Sequence, residues 1–473
     1  MINQKQIFPK SIFRAYDIRG HLGLLRPEIV QAIAYGLVNQ FKQTQQQRIV
    51  LGYDARLTSP HYAEIIRQVF LQQQFEVIEL GCCSSPMLYF IAQLYDGHGV
   101  MVTASHNPKS DNGIKWIINN LPPSPQQIQQ VAQIASESIF PLLNVPNHIK
   151  KHLIQREYTK KYEKYLLKDI QLKKPFKIVL DAMHGSAGYC ARRVLKKLGC
   201  NVIDLRCKAN GHFPDHAPDP SKEQNLLKVK QKILQSGADL GLVLDGDGDR
   251  LVLLDENAQL ICADRLLSLF SEICLQKHPQ AEIVFDVKCS TMVKKTISRL
   301  GGKATMLRTG STFLRNYLFE SKAIFGGEYA GHYAFNDGRG LGYDDGLYAG
   351  LRVLEYLSQF NGKMTCSKLF QKYPKRCFTE DTYIPTQNIH PELVLNEIAQ
   401  KSQKNALELS KIDGIRLDFE DGFGIIRTSN TGEYFTVRFD AQNEIELNRI
   451  RQTFAVMLQE NYPKIAQNIL DAQ

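Results

Sequence analysis

Three segments of this chain repeat one pattern, and the repetition limits the folds that it can adopt. The segments begin at Arg48, Lys177 and Glu282, and in each an apolar run opens into a polar loop that a helical stretch follows. Such strand–helix units, starting roughly a domain's length apart, predict three related α/β domains with mixed sheets. Ligands of these domains bind at the carboxyl ends of the strands, so we expect the strand ends to line a central cleft. Chance likeness among apolar strands is the competing interpretation.

The chain also suggests where its domains end. A proline and a shift to polar residues within 144–152 favour a first boundary there. Beyond about residue 370 the pattern changes, because 414–440 is typical of successive strands and 444–459 of an amphipathic helix. We therefore expect a C-terminal α+β domain unlike the first three. The predicted domains are 1–152, 153–255, 256–370 and 371–473.

The densest chemical signal lies in residues 242–254, where Asp245, Asp247 and Asp249 alternate with glycines between two apolar strands. This spacing crowds three carboxylates together. At about 5 Å and an effective dielectric constant near 20, each pair repels by roughly 3 kcal/mol, which a bound divalent cation reverses. Oxygen ligands favour Mg²⁺ over zinc, so the segment predicts a magnesium site.

Two other interpretations of the same segment compete with a magnesium site. A solvated hairpin turn is one, since Asp-Gly is a common hairpin dipeptide. An EF-hand loop is the other, because the three aspartates and Glu256 have its ligand spacing. Arg250 stands where that loop needs glycine, and strands flank the segment where helices should, so we disfavour the EF-hand.

A second cluster lies earlier in the chain, in residues 103–115, directly after the apolar residues 99–102. The hydroxyl of Ser105 at a strand end, with His106 and Lys115 nearby, is a candidate nucleophile. Spacing alone favours a plain turn, in which Ser105 and Asn107 satisfy backbone groups and Pro108 ends the strand. No G-x-S-x-G elbow surrounds Ser105, so the sequence does not predict a hydrolase triad.

Two later loops are weaker signals. Residues 326–332 offer the carboxylate of Glu328 and the imidazole of His332. Residues 427–432 join two strands and offer the guanidinium of Arg427 with hydroxyls and free amides, a set suited to a phosphate monoester. A plain turn is the competing interpretation of each. The chain has no G-x-x-x-x-G-K-[ST] loop, and residues 338–342 are too short for a dinucleotide fingerprint.

Charge and composition narrow the functions further. The formal net charge of +10 suits an anionic partner, but basic residues are scattered along the chain, so we expect no nucleic-acid binding. No apolar run approaches the roughly 18–20 residues of a membrane helix, and the start lacks an apolar signal region. We expect a cytoplasmic protein without membrane contact. Its ten cysteines form no C-x-x-C pair, which favours reduced structural thiols.

In this order, the motifs resemble the α-D-phosphohexomutase superfamily, and within it the bacterial phosphomannomutase/phosphoglucomutase group. The resemblance spans nearly the whole chain. Residues 13–20, Phe-Arg-Ala-Tyr-Asp-Ile-Arg-Gly, look like the family's opening. Residues 103–108, 245–250, 327–332 and 427–431 look like its phosphoserine, metal, sugar-binding and phosphate-binding loops.

The resemblance implies an isomerase that interconverts hexose 6-phosphate and hexose 1-phosphate, of mannose or glucose, through a phosphoserine enzyme and a bound 1,6-bisphosphate. It implies Mg²⁺ on Ser105, Asp245, Asp247 and Asp249. Beyond Ser105, the implied catalytic residues are His106, Lys115, Arg19, Arg250 and His332, with His332, Lys115 and Arg19 as candidates for proton transfer. The implied substrate-binding residues are Tyr16, Lys288, Glu328, His332, Arg427, Ser429, Asn430 and Thr431. We expect a monomer whose partners are hexose phosphates.

The chain departs from the family pattern at a few positions. Tyr329 and Ala330 stand where the sugar-binding loop usually has Met and Ser, and Ser311 stands where relatives carry His. These changes leave the preference between mannose and glucose open.

Two alternative functions fit parts of the sequence. One is a haloacid-dehalogenase-type phosphotransferase, whose aspartate nucleophile would lie in the Asp245-Gly-Asp247 segment, although the threonine that should follow is absent. The other is a non-catalytic polyanion-binding protein, which would tolerate replacement of Ser105.

Overall fold

The structure, a computed structural model, describes residues 8–137, 143, 156–360, 362–404, 408–428 and 432–472. The chain divides into two units, and we describe each by itself. The larger unit contains residues 1–262 and 330–369, and the smaller contains 263–329 and 370–473. The boundary that the sequence suggests near residue 152 lies outside the described residues.

The larger unit opens with a mixed five-stranded sheet. Its strands run in the order β1-β5-β4-β2-β3, with β2 parallel to β3 and β4, and with β5 antiparallel to β4 and β1. Leu37, Ile66 and Trp116 are among the buried residues of its core. The elements are β1 (Ile18–His21), α1 (Pro27–Lys42), β2 (Arg48–Tyr53), α2 (Ser59–Gln72), β3 (Glu76–Cys82), α3 (Ser85–Gln93), β4 (Gly99–Val102), β5 (Asp111–Ile117) and α4 (Pro125–Glu137).

A second mixed sheet in the same unit repeats the parallel part of the first. Its order is β10-β9-β8-β6-β7, with β6 parallel to β7 and β8, and with β9 antiparallel to its two neighbours. The elements are α5 (Arg156–Asp169), β6 (Lys177–Asp181), α6 (Gly188–Lys197), β7 (Asn201–Leu205), α7 (Leu227–Ser236), β8 (Leu240–Leu244), β9 (Leu251–Asp255) and β10 (Leu260–Ile261).

The smaller unit begins with a third parallel arrangement, in which β11 lies between β12 and β13. Its elements are α8 (Ala263–Lys277), β11 (Glu282–Asp286), α9 (Thr291–Arg299), β12 (Lys303–Leu307), α10 (Ser311–Glu320) and β13 (Phe325–Gly327). The chain then returns to the larger unit for β14 (Tyr333–Phe335) and α11 (Gly346–Ser358), and α12 (Cys366–Phe370) leads back to the smaller unit.

The last part of the chain forms an antiparallel sheet in the smaller unit. Its strands run in the order β15-β20-β19-β18-β17, with β16 also paired to β20. Phe454 of α14 and Ile465 of α15 pack into a core with Phe439 of β20. The elements are β15 (Cys377–Phe378), β16 (Thr382–Pro385), α13 (Pro391–Lys404), β17 (Glu408–Ser410), β18 (Ile415–Phe419), β19 (Gly422–Thr428), β20 (Tyr434–Ala441), α14 (Glu444–Leu458) and α15 (Pro463–Leu470).

The three repeated sequence segments are β2, β6 and β11, and each is the central parallel strand of its sheet. The prediction of three related α/β domains followed by an α+β domain is therefore confirmed. Their arrangement around a central cleft stays a prediction. No helix within the described residues is long and apolar enough to cross a membrane.

One buried arginine holds the loop that follows β4. Arg56 lies just after β2 and is 1% exposed. Its Nη1 donates to the carbonyl oxygens of Pro108 and Asp111, and its Nη2 donates to those of Ser105 and Asn107, all at 2.6–2.9 Å. The five donors of a guanidinium allow one side chain to bind several carbonyl groups of a buried loop at once. Arg56 thus connects the ends of β2 and β4.

We expect Arg56→Met to lower the free energy of unfolding of the larger unit by about 3 kcal/mol or more, because it leaves these carbonyls and the carboxylate of Asp54 without their buried partner. Urea denaturation followed by circular dichroism measures the change. Arg192→Met is the control, since Arg192 forms an exposed pair with Asp204 at 3.1 Å. That pair should contribute less than about 1 kcal/mol. Equal losses in both variants would contradict the role of Arg56.

Candidate active site

Ser105 lies in the loop after β4, in a conformation that an L-residue rarely adopts. Its φ of 49° is in the left-handed region, where strain is typical of functional positions. The Ser105 N–H donates to Thr103 Oγ1 at 2.8 Å. The Ser105 hydroxyl donates to Asp245 Oδ2 at 2.6 Å, across 140 positions of the sequence. The loop therefore directs this hydroxyl at the acidic segment after β8.

The plain-turn interpretation of this loop is wrong in its details. The side chain of Ser105 donates to a carboxylate, not to the backbone. Asn107 accepts a hydrogen bond from Arg19 Nη1 at 3.0 Å and donates to Asp111 Oδ2 at 2.9 Å. Local spacing suggested backbone partners because it cannot show side chains that distant segments supply.

Asp245, Asp247 and Asp249 lie in the loop between β8 and β9 and are at most 1% exposed. One oxygen from each can be chosen so that all three lie within 4.8 Å of one another. Gly246 allows the acidic loop to pack against the Ser105 loop, because a Cβ at position 246 would lie 2.4 Å from the carbonyl oxygen of Ser105. The strands do form an antiparallel pair. The solvated-hairpin interpretation is nevertheless wrong, since tertiary packing buries all three carboxylates.

Lys115 of β5 partly neutralises this acidic cluster. Its Nζ lies 3.0 Å from Asp247 Oδ2 and 2.9 Å from Asp249 Oδ2. Burial lowers the pKa of Lys115, but the two carboxylates outweigh burial and hold it well above its usual value. Burial and the charges of Asp249 and Asp247 raise the pKa of Asp245. Three carboxylates against one ammonium leave an excess of negative charge.

The acidic cluster also has oxygen atoms available to a cation. Among the described residues, Asp247 Oδ1 and Asp249 Oδ1 are buried and have no hydrogen-bond partner. Leaving such atoms unpaired is costly, and a hard divalent cation satisfies carboxylate oxygens of this kind. The three aspartates therefore fit a metal ion with oxygen ligands.

His332 lies beside the same cluster and is oriented by two partners. Its Nδ1 is 2.6 Å from Asp344 Oδ2 and 3.7 Å from Asp249 Oδ1. Arg250 Nε donates to His332 Nε2 at 2.9 Å, so Nδ1 carries the proton and donates to Asp344. Burial lowers the pKa of His332, but Asp249 and Asp344 raise it above its usual value overall.

His106 and Arg19 also lie near Ser105. His106 Nδ1 is 3.3 Å from Ser105 Oγ. Burial and the positive charges of Arg250 and Arg19 lower the pKa of His106 well below its usual value, so the ring is neutral. Arg19 pairs with Asp17 at 2.6 Å. Burial lowers the pKa of Arg19, but Asp17 and then the half-buried Tyr16 raise it above its usual value overall.

The remaining candidate residues belong to the smaller unit. Lys288, in the loop after β11, pairs with Asp381 Oδ2 at 2.7 Å. Burial lowers the pKa of Lys288, but Asp381 and Asp286 raise it above its usual value overall. The positive charge of Arg427 is near enough to lower the pKa of Lys288 in part. Lys288 and Arg427 thus place two cations in one neighbourhood.

Carboxylates and backbone amides surround these cations. Arg427 Nη2 lies 3.2 Å from Asp413 Oδ2, which also accepts the Thr309 N–H at 3.2 Å. Glu328 Oε1 accepts the Gly310 N–H at 2.5 Å. The predicted phosphate-binding residues Ser429, Asn430 and Thr431 lie outside the described residues.

Contacts within the larger unit therefore join nine of the predicted residues. They are Arg19, Ser105, His106, Lys115, Asp245, Asp247, Asp249, Arg250 and His332. The smaller unit brings Lys288 near Arg427, and Glu328 lies in its own loop.

Sequence reasoning missed several residues that hydrogen-bond to the predicted site residues or to their loops. Arg56 binds the Ser105 loop, and Ser85 donates to Asp247 Oδ2 at 2.6 Å from the first turn of α3. Both follow the end of a strand, which is a usable signal. Asp344 and Asp381 have no such signal, since only their contacts with His332 and Lys288 single them out.

Comparison with known proteins places these features in one family. Residues 10–141, 156–258 and 262–377 match, in turn, the alpha/beta/alpha domains I, II and III of phosphoglucomutase/phosphomannomutase. A phosphoglucomutase of Neisseria meningitidis is 34% identical over 456 residues, which cover 96% of this chain and 97% of the relative. A phosphomannomutase/phosphoglucomutase of Pseudomonas aeruginosa is 34% identical over 448 residues, covering 94% and 95%.

A solved structure agrees with this match. The crystal structure of a phosphoglucomutase/phosphomannomutase family protein from Burkholderia thailandensis has a TM-score of 0.85 and 31% identity, and the alignment covers 95% of this chain and 97% of that one. Because three successive family domains and full-length relatives agree, this chain belongs to the phosphoglucomutase/phosphomannomutase family.

Proposed function

We propose that this chain is a phosphohexomutase that interconverts hexose 6-phosphate and hexose 1-phosphate, with Ser105 as the carrier of the transferred phosphoryl group. The contact of the Ser105 hydroxyl with Asp245 Oδ2 at 2.6 Å carries the proposal. It joins the candidate nucleophile to a buried acidic cluster that has an excess of negative charge. The family favours this function over the dehalogenase-type and polyanion-binding alternatives.

A phosphorylated Ser105 needs cations beside it. A phosphoserine brings about −1.5 to −2 charges, and here it would adjoin three carboxylates. Lys115, Arg250 and Arg19 supply positive charge, and we propose Mg²⁺ on Asp245, Asp247 and Asp249. Bound there, Mg²⁺ would offset the charge of the phosphate and polarise its oxygens.

In the first proposed step, the bond between phosphorus and Ser105 Oγ breaks, and a bond from phosphorus to the free hydroxyl of a hexose monophosphate forms. The sugar hydroxyl loses a proton and the departing Ser105 Oγ takes one up, and His332, Lys115 and Arg19 remain the candidates for these proton transfers. Asp344 holds Nδ1 of His332 and Arg250 donates to Nε2, so the imidazole has a fixed orientation. Lys115 is held charged by Asp247 and Asp249, which suits it better to donate a proton than to accept one.

In the second proposed step, the bound hexose 1,6-bisphosphate turns around and returns its other phosphoryl group to Ser105. Ser105 Oγ loses its proton as it forms the new bond to phosphorus, the bond from that phosphorus to the sugar oxygen breaks, and this oxygen takes up a proton. The net change is an isomerisation. Lys288 and Arg427 would bind the phosphate that is not being transferred, and Tyr16 and Glu328 would help to hold the substrate. Ser429, Asn430 and Thr431 remain proposed phosphate ligands.

The choice of sugar rests on the relatives. The Neisseria relative is a phosphoglucomutase, and the Pseudomonas relative is a phosphomannomutase/phosphoglucomutase. We therefore propose glucose and mannose phosphates as substrates. A cytoplasmic monomer without nucleic-acid binding also stays a prediction.

We expect Ser105→Ala to lower mutase turnover of glucose 1-phosphate by at least about 1000-fold, because the variant has no oxygen to carry the phosphoryl group. A coupled assay with Mg²⁺ and trace glucose 1,6-bisphosphate measures the rate. Ser110→Ala is the control, because Ser110 lies in the same loop and its hydroxyl donates to Asp111 Oδ1 at 3.3 Å. Intact mass should show phosphate on the wild type that survives hydroxylamine. Undiminished turnover in Ser105→Ala, or loss of the label to hydroxylamine, would contradict the assignment.

We expect Asp247→Asn to lower Mg²⁺-supported kcat/KM by at least about 100-fold without unfolding the protein, since it removes one charged metal ligand from a strand-end loop. Mg²⁺ should also raise the melting temperature of the wild type more than that of the variant. Asp204→Asn, which removes a surface carboxylate from the same unit, should behave like the wild type in both assays. Equal Mg²⁺ responses in Asp247→Asn and the wild type would refute the metal role.

A further inference from the structure

The loop that carries Lys288 is fixed by two buried arginines of the C-terminal sheet. Arg416 of β18 donates through Nη1 to the carbonyl oxygens of Val287 and Cys289, at 2.6 and 2.7 Å. Arg438 of β20 donates through Nη1 to the carbonyl oxygen of Lys288 at 2.6 Å. Three consecutive carbonyl groups are therefore bound by guanidinium donors, and a shift of Arg438 would remove the hydrogen bond that holds the Lys288 carbonyl group.

The ring of Tyr329 packs on the face of this second arginine. Its centroid lies 3.7 Å from Arg438 Cζ, closer than those of Phe423 at 5.3 Å and Phe378 at 5.6 Å. The same ring lies 5.9 Å from the ammonium of Lys288. Tyr329 thus contacts the guanidinium that holds the Lys288 backbone and lies within cation–π distance of the Lys288 side chain.

The backbone of Tyr329 is hydrogen-bonded to the end of the strand that leads into the Lys288 loop. Its N–H donates to Asp286 Oδ1 at 2.9 Å, and Asp286 is the last residue of β11. The ring is therefore held against Arg438 by the strand that leads into the Lys288 loop. Position 329 usually holds Met in the family loop that this segment resembles, and a thioether has no π-face for a guanidinium.

We propose that Tyr329 is a positioning residue for Lys288 and sets the affinity for the sugar phosphate through this lysine. This inference rests on the proposed function, since it takes Lys288 to bind substrate. Arg438 is fully buried, and Asp264 and Asp440 face it at 3.7 and 4.0 Å. The ring covers the flat face that these carboxylates leave open. Without it the guanidinium can tilt, and the Lys288 carbonyl follows.

The Lys288 ammonium depends on this geometry because it already has a competing partner. It lies 2.7 Å from Asp381 Oδ2 in the smaller unit. A substrate phosphate must draw the ammonium away from that carboxylate, so a small displacement of the lysine favours the internal pair over the ligand. The expected consequence is weaker substrate binding with little change in the chemical step.

A double-mutant cycle on the full chain tests this inference. KM and kcat for glucose 1-phosphate are measured for Tyr329→Met, Lys288→Ala and the double variant, with Mg²⁺ and trace glucose 1,6-bisphosphate. We expect Tyr329→Met alone to raise KM about threefold to thirtyfold, the range from an exposed to a desolvated cation–π contact, with kcat within about twofold of the wild type. In the Lys288→Ala background the same substitution should leave KM unchanged.

Two further variants separate positioning from a general structural effect. Tyr329→Phe keeps the aromatic ring and should therefore have a KM close to that of the wild type. Phe319→Met makes a similar change at an exposed position of α10 in the same unit and should alter neither constant. Melting temperatures of all variants show whether each is folded.

Several outcomes would overturn the inference. A KM increase of the same factor in both backgrounds would show that Tyr329 does not act through Lys288. An unchanged KM in Tyr329→Met, or a loss confined to kcat, would refute its effect on affinity. An unchanged KM in Lys288→Ala would reject Lys288 as a substrate ligand and the inference with it. Absence of mutase activity in the wild type would instead reject the proposed function.

Discussion

The burial of three carboxylates beside one serine hydroxyl is the constraint on which the rest of the larger unit depends. Asp245, Asp247 and Asp249 are shielded from water, and the ammonium of Lys115 bonds directly to two of them. Their mutual repulsion is strong in a low dielectric, so the arrangement calls for further positive charge. A metal ion and a phosphorylated Ser105 would balance one another there, which explains why the two predicted loops must meet.

Buried arginines bind the backbone carbonyl groups of loops at the strand ends. A functional loop after a strand exposes carbonyl groups that have no ladder partner, and burial makes these groups costly. Arg56 donates to four carbonyl groups around Ser105, and Arg416 and Arg438 donate to three around Lys288. A guanidinium suits the task because it presents five donors in one rigid plane. The Ser105 and Lys288 loops are therefore held by hydrogen bonds to arginines, although they have no regular secondary structure.

Local sequence signals predicted the features that one segment can encode. The aspartates alternate with glycines, and Gly246 is needed because the loop lies against the Ser105 carbonyl group. The repeated strands likewise carry their own apolar pattern. Spacing misjudged Ser105 and Asn107, whose partners come from Asp245 and Arg19. The sequence could not predict the partners of His332 and Lys288 either, because Asp344 and Asp381 lie in segments without a distinctive motif.

The sequence by itself determined the repeated α/β units, the acidic loop and the identity of the charged side chains, because periodicity and residue chemistry are local properties. Only the tertiary structure decided which charges face one another. It brought the Ser105 hydroxyl into hydrogen-bond contact with Asp245, paired Lys288 with the carboxylate of Asp381 and packed the Tyr329 ring against the Arg438 guanidinium. The physical reason is that burial and pairing fix the energy of a charge, and both depend on segments far apart in the chain.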